Sequence, residues 1–313
     1  DNLSYRASSF SVKTHQMDSL PPTFPGRVGQ VITILQLVVV LTSYANEKNP
    51  ETRAQYSKFS QSGSGESMQS KKTASSPNTW PSRLAMFVIY APALIVSVVL
   101  LVLGSKNNIY DELSFSVPKP SIAAYLCSIH FAKRVAEVLF LHSYSGRTDI
   151  GTPCMIGVFY SLITTLVAYA GSMSAPIAAD LFGGNNNARD MIGVSVFVVG
   201  ILGNFYHHFL LAKLRSSSSK QSKSTASSGT AAKKYVAPKG GLFIYCAAPH
   251  YFFELIGWAG VAIVADHLNV YLAMAGMTSY LAGRSVAQND FNRTRFKEKD
   301  WPRDRKNLVP FVF

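Results

Sequence analysis

Charge is scarce in this sequence. Asp, Glu, Lys and Arg make up 15% of its 313 residues, where soluble domains carry about 25%. Acidic residues are the scarcer half, 17 against 30 basic ones, which leaves a formal charge of 30 − 17 = +13. Cysteine is scarcer still. Cys127, Cys154 and Cys246 are too few and too scattered for a disulfide framework or a cysteine-based zinc site. All three fall in or beside apolar runs, where a buried thiol is the default. HExxH and two-His-one-carboxylate spacings are missing too, so no metal site is expected. No internal repeat is visible. A soluble chain of this length would hold about two domains. Low charge with a mean hydropathy of +0.13 points instead to a chain that spends much of its length in lipid, and excludes disordered or collagen-like classes.

Apolar runs are what the sequence has in abundance. Seven lie near 27–46, 83–103, 121–142, 151–173, 191–212, 243–265 and 267–287, and about 20 residues cross a hydrocarbon core. Lipid satisfies no open strand edge, so every span must be helical. The expected fold is an all-α integral membrane bundle of about seven transmembrane helices, with a tight hairpin at Asp266-His267. Basic residues gather in alternate connections: 47–82, the acid-free 213–240 and the tail after 287. Those segments face the cytoplasm by the positive-inside rule, which puts the N-terminus outside and the C-terminus inside. A nucleic-acid reader would interleave Lys/Arg with stacking aromatics on a soluble fold, so the expected basic partner is a membrane surface and no nucleic acid. The Ser-rich stretches 60–79 and 216–230 read as mobile loops. Residues 1–16 are compatible with part of a targeting segment, and Met17 opens a stretch that would serve as a natural start.

Ionisable residues within spans are costly and so mark function. The third span places His130, Lys133, Arg134 and Glu137 on one helix side, at offsets of three, four and seven. Lys133 and Glu137 can neutralise each other, but two cations stand against one acid. In the fifth span Asn204, His208 and Arg215 form a second polar stripe. His207 and His208 point about 100° apart, which is no metal pair. The sixth span carries His250, Tyr251, Glu254 and Trp258 after a Gly240-Gly241 turn, where free N–H groups favour anions. The seventh adds Arg284 and Gln288. The interior excess is cationic and weighted to the cytoplasmic side. Arg134, Arg215 and Arg284 are expected to converge on a phosphorylated ligand, because the planar guanidinium pairs well with phosphate.

Several of these segments resemble one family. HFAKRVAEVLFLHSYSG (130–146), GNFYHHFLLAKLR (203–215), PKGGLF with APHYFFELIGW (238–258), GRS (283–285) and the terminal LVPFVF are similar to the steroid 5α-reductase family. The likeness covers about residues 83–313 and is closest to the plant branch that includes the brassinosteroid-pathway reductase. It implies a seven-helix membrane fold, usually of the endoplasmic reticulum. It also implies NADPH-dependent reduction of a C=C bond conjugated to a carbonyl, in a lipid-like substrate drawn from the bilayer. Residues 1–25 would then be an N-terminal extension, 26–82 the first span with its loop, and 83–313 the catalytic domain. The cofactor positions implied are Arg134, Asn204, His208, Arg215, Tyr235, His250, Glu254, Trp258 and Arg284. His208 and His250 stand where animal steroid reductases often have Asp and Asn. Gln288 and Asn292 replace a His and a Tyr.

At the reacting centre the resemblance divides. Steroid reductases use a Glu and a Tyr where this sequence has Tyr90 and Phe131. The enoyl-CoA reductase branch uses a Lys and a Tyr, which are kept as Lys133 and Tyr251. Reducing an enone builds charge on the carbonyl oxygen, which calls for a placed donor in a water-poor site and an acid for the α-carbon. Tyr251 is the expected donor, with Tyr90 as the alternate and Lys133 assisting. The competing reading is a non-catalytic membrane subunit that keeps the fold among partner subunits. A methyltransferase of related helical architecture is disfavoured by the GNFYHH and PKGGLF segments.

Overall fold

The computed structural model describes residues 21–54, 79–105, 117–144, 146–174, 187–224 and 236–313. The possible start at Met17 and the targeting-like residues 1–16, Tyr235 and nearly all of the first Ser-rich stretch lie outside them. Among the described residues the seven apolar runs become seven α-helices: α1 (Gly26–Lys48), α2 (Ser82–Ser105), α3 (Ile122–Ala136), α4 (Gly151–Ser174), α5 (Asn187–Ser224), α6 (Pro249–Ala265) and α7 (Leu268–Arg295). A short antiparallel ribbon joins the start of α2 to the start of α4. In it β1 (Thr79–Pro81) pairs with β2 (Arg147–Asp149), Trp80 opposite Thr148.

Four helices, α1, α2, α4 and α5, are long and apolar enough to cross a membrane. The other three depart from the seven-span expectation for physical reasons. The 15-residue α3 carries the ionised cluster described below, and the 28-residue α7 is long but too polar on average. The 17 residues of α6 extend about 25 Å at 1.5 Å per residue. The sixth apolar run was expected to be helical from 243, yet α6 starts only at Pro249, a favoured first helical position. The preceding backbone is held by the C-terminal tail: Ala247 N donates to Lys306 O at 2.8 Å, Ala248 N to Asn307 O at 3.1 Å, and Lys306 N to Tyr245 O at 3.0 Å. The stretch expected to be a loop from 216 is helical as far as it is described, since α5 runs on to Ser224. The Ser216 and Ser217 hydroxyls donate back to Lys213 O at 2.9 and 3.0 Å, which keeps them within the helix.

The helices pack chiefly in pairs, α1 with α7, α2 with α4 and α5 with α6. Apolar contact with a neighbour gains little over contact with lipid, so polar stitches and close backbone approach do the joining. Between α1 and α7, Asn269 Nδ2 donates to Thr33 Oγ1 at 2.9 Å and to Gln36 Oε1 at 2.8 Å. Gln36 Nε2 returns a bond to Asn269 O at 2.8 Å. The α6–α7 hairpin turns where expected: Asp266 ends α6 in the left-handed region (φ 44°), and His267 caps α7 by accepting from Asn269 N at 3.3 Å. Ile89, Cys127, Phe131, Val167, Trp258 and Val261 form part of the core between α2, α3, α4 and α6. Leu41, Ile95, Leu162 and Leu202 point outward, exposed, as lipid-facing side chains would.

Between α5 and α6 the backbones nearly touch. A Cβ on Gly200 would lie 2.1 Å from Gly257 N, whereas a Cβ on Gly257 meets nothing closer than 3.9 Å. Backbone cannot yield as a flexible side chain can. Gly200→Val is therefore expected to destabilise the protein by about 1–3 kcal/mol, and Gly257→Ala to be tolerated. Thermal unfolding in detergent measures both, and equal midpoints for the two variants would contradict this packing.

Candidate active site

The polar site grows out of α3. Ser121 caps this helix by accepting from Ala124 N at 3.3 Å. After Ala136 the chain widens into a π turn over Glu137–Leu141, closed by His142 N donating to Glu137 O at 2.8 Å. Single π turns are frequent at functional sites because the extra residue re-aims the side chains that follow. Here the turn leaves the His142 ring 5.1 Å from that of His208 on α5.

Glu137, 2% exposed, is the hub. Its carboxylate receives Lys133 Nζ at 2.9 Å, Arg134 NH1 at 2.6 Å and His208 Nδ1 at 2.9 Å. Arg134 NH2 donates to the Tyr90 hydroxyl at 2.5 Å. Lys133 donates to Asn204 Oδ1, and Asn204 Nδ2 donates to His250 O at 2.7 Å and to Glu254 Oε2 at 3.2 Å. One network thus joins α2, α3, α5 and α6.

A second knot lies between α1 and α7. Arg284 NH1 donates to Glu47 Oε1 and Oε2 at 3.1 and 3.0 Å and to Ala54 O at 2.9 Å. Glu47 Oε1 also accepts from Ala54 N at 2.7 Å, and Arg284 lies within electrostatic reach of the Tyr251 hydroxyl. Both ion-pair partners are 2% exposed. Glu254 lies within electrostatic reach of Tyr90, Lys133, Arg134 and Tyr251, and Tyr90 within reach of Tyr251. Both phenols therefore belong to one interior.

Among the described residues, Lys133, Arg134 and Arg284 face Glu47, Glu137 and Glu254, and half-buried Arg53 stands in electrostatic reach of Glu47 and Arg284. Glu47 is the residue that sequence reasoning missed. It sits in the last turn of an apolar helix, and counting loop charges assigned it to the connection. Of the three guanidinium groups expected to converge, Arg134 and Arg284 are each paired with a different carboxylate, and Arg215, exposed on α5, lies with Arg134 in electrostatic reach of His142 and Tyr144. The Gly240-Gly241 turn opens a 3-10 turn rather than α6, and Leu242 N donates to His207 Nε2 at 3.2 Å, so that N–H is not left for an anion.

Glu137, His142 and His208 bring ligand atoms within 4.8 Å of one another, a grouping invisible to spacing because α3 and α5 meet only in the fold. Arg134 already occupies the carboxylate, and a divalent ion there would also face Lys133 at close range. Two buried donors, Trp258 Nε1 and Arg134 Nε, have no hydrogen-bond partner among the described residues. They fit a ligand that brings a carbonyl or carboxamide oxygen. Phe131 is fully buried, its ring centroid 6.2 Å from that of Trp258. Gln288 and Asn292, the departures on α7, bond each other at 3.2 Å. Beyond the membrane-facing helices, Lys239 donates to Asp300 at 2.7 Å and holds that carboxyl below its ordinary range.

Comparison with known proteins bears on this arrangement. Residues 152–313 match the family described as 3-oxo-5-alpha-steroid 4-dehydrogenase. A very-long-chain enoyl-CoA reductase of Dictyostelium discoideum is 25% identical over 208 residues, 66% of this chain and 63% of that protein. A probable very-long-chain enoyl-CoA reductase of Caenorhabditis elegans is 27% identical over 203 residues, 62% of this chain and 59% of that protein. The 3-oxo-5-alpha-steroid 4-dehydrogenase 2 of Mus musculus is 24% identical over 239 residues, 74% of this chain and 82% of that protein. The chain thus spans about three fifths of the length of the two enoyl-CoA reductases it matches.

Removing one member of a buried ion cluster leaves its partners uncompensated, at a cost of about 3–5 kcal/mol. Glu137→Gln should therefore lower the thermal unfolding midpoint far more than Asp300→Asn, which loosens only the surface pair with Lys239. Similar midpoints for the two would contradict the role of Glu137 as hub.

Proposed function

The chain belongs to the 3-oxo-5-alpha-steroid 4-dehydrogenase family, and on that premise we propose that it reduces a C=C bond conjugated to a carbonyl in a lipid-like substrate, using NADPH. The observation that carries this reading is a pair of phenols within one interior, Tyr90 bonded to buried Arg134 and Tyr251 within electrostatic reach of buried Arg284. NADPH, when bound, supplies the hydride for the β-carbon. The residues proposed to hold it are Asn204, Trp258, His250 and Arg215, with Tyr235 beside them in sequence-based expectation. The orphan donors of Trp258 and Arg134 suit its carboxamide or the substrate carbonyl.

The chain's own part is electrostatic. Negative charge develops on the substrate oxygen, and a donor fixed beforehand in a water-poor site stabilises it without reorganising. Tyr251 is the proposed donor. Arg284 lies within electrostatic reach of its oxygen and so stabilises the charge left there once the proton has moved. Lys133, held by Glu137 and Asn204, is placed to return a proton. Tyr90 is the alternate donor, backed by Arg134 in the same way.

Lys133 and Tyr251 together with an apolar Phe131 favour a trans-2-enoyl thioester over a 3-oxo-Δ4 steroid. Apolar outward faces on the four long helices support membrane residence, and the family supports the endoplasmic reticulum as its place. A non-catalytic subunit is the second reading, motivated by the mutual bond of Gln288 and Asn292.

The test is NADPH oxidation by the purified chain with enoyl-CoA thioesters and 3-oxo-Δ4 steroids. Tyr251→Phe and Lys133→Ala are each expected to lower turnover by about 100-fold or more while leaving NADPH binding nearly unchanged. Normal turnover in both variants would refute the assignment. Nucleotide binding by the wild type without turnover on any acceptor would favour the subunit reading.

A further inference from the structure

The C-terminal tail carries an exposed apolar knob for which the reductase chemistry has no use. After α7 the chain returns to the start of α6, where Lys306 N donates to Tyr245 O at 3.0 Å and Ala247 N to Lys306 O at 2.8 Å. Beyond that seam it closes into a tight turn. Leu308 N and Val309 N donate to Phe313 O at 2.7 and 2.9 Å, and Phe313 N donates to Val309 O at 3.1 Å. The turn holds Phe311 at φ 67°, a left-handed conformation that bulky residues rarely adopt. Phe311 is nevertheless 70% exposed, and Val312 beside it 75%. The Phe311 ring meets that of Tyr245 at 4.6 Å between centroids, and both Tyr245 and its neighbour Ile244 are exposed. Two distant segments thus join in one outward apolar surface on a backbone fixed by hydrogen bonds.

Height and charge identify what covers this knob. The 17 residues of α6 reach about 25 Å, against about 30 Å of hydrocarbon core. Ile244 and Tyr245 lie immediately ahead of that helix, so with Phe311 they stand where the core gives way to headgroups, the depth at which amphipathic aromatics gather. Residues 293–306 of the same tail hold seven basic and three acidic side chains, a net of 7 − 3 = +4, and Lys297, Lys299 and Arg303 among them are exposed. We propose that the knob of Ile244, Tyr245, Phe311 and Val312 inserts into the interfacial layer of an anionic lipid leaflet, while the basic tail pairs with its headgroups. Apolar side chains that dip in beside Lys and Arg gain both burial and attraction to anionic lipid. The tail thereby completes the short end of α6 against the bilayer. This rests on the membrane residence proposed above and is independent of the reductase chemistry.

The experiment places the full chain in phosphatidylcholine vesicles, with and without phosphatidylserine. Phe311→Trp and, as a second reporter should the first misfold, Val312→Trp are read by quenching with lipids brominated near the headgroup end or deep in the acyl chains. Above the wild-type background of Trp80, Trp258 and Trp301, the added indole is expected to be quenched about twofold more by the shallow bromines than by the deep ones. Phosphatidylserine should strengthen that quenching, and the triple variant Lys297→Gln/Lys299→Gln/Arg303→Gln should cancel the increment. Quenching no greater than the wild-type background would overturn the proposal. If the reporter's emission is then blue-shifted, and Phe311→Asp converts a dimer in detergent to a monomer, a second copy of the chain covers the knob instead. Equal quenching with and without phosphatidylserine would overturn the headgroup pairing. Flotation of the wild type with the vesicles separates the two failures: a chain that does not float sinks the membrane reading itself, whereas a floating chain with an unquenched reporter sinks only the knob.

Discussion

The carboxylate of Glu137 holds the site together. An ionised group inside a lipid-embedded bundle is tolerated only when opposite charge and hydrogen bonds replace lost water. Glu137 meets that condition for itself and for Lys133 and Arg134 at once, and His208 completes its shell. Arg134, fixed from one side by Glu137, is free to bond Tyr90 from the other. Lys133, fixed likewise, reaches Asn204 and through it α6. Without the carboxylate, Lys133 and Arg134 keep hydrogen bonds only to uncharged groups, Asn204, Tyr90 and His208.

Ion pairing changes how the chemistry is understood. Arg134 and Arg284 each already have a carboxylate partner, Glu137 and Glu47. Among the described residues the Trp258 Nε1 and Arg134 Nε donors have no acceptors. Such a site suits a carbonyl whose oxygen gains charge during reaction. The family match covers residues 152–313, yet Glu47, Tyr90, Lys133, Arg134 and Glu137 all precede it. Both ion clusters are therefore built across that boundary: Arg134 and Lys133 meet His208 and Asn204, and Glu47 meets Arg284.

Much of this was legible in the sequence because lipid enforces simple rules. Hydropathy located all seven helices, and the three- and four-residue offsets on α3 put Lys133, Arg134 and Glu137 on one side. The hairpin at Asp266-His267 followed from the shortness of the connection. Long-range pairing was not legible. Glu47 finds its partner only through α7, and nothing local in a last-turn acid distinguishes it from a solvated one. The π turn after Ala136 leaves no periodic trace, so the meeting of His142 with His208 could not be foreseen. The late start of α6 depends on Lys306 and Asn307, far along the chain, which occupy the backbone of residues 247 and 248.

The central claim is that this interior would hold NADPH against a conjugated lipid, stabilise the charge on its carbonyl oxygen and protonate what results. Its most direct measurement is mass spectrometry of the product formed by the purified chain from a trans-2-enoyl thioester and nicotinamide-deuterated NADPH. The account predicts one deuterium at the β-carbon and a solvent-derived proton at the α-carbon. A folded, nucleotide-binding protein that yields no labelled product from enoyl thioesters or 3-oxo-Δ4 steroids would contradict it.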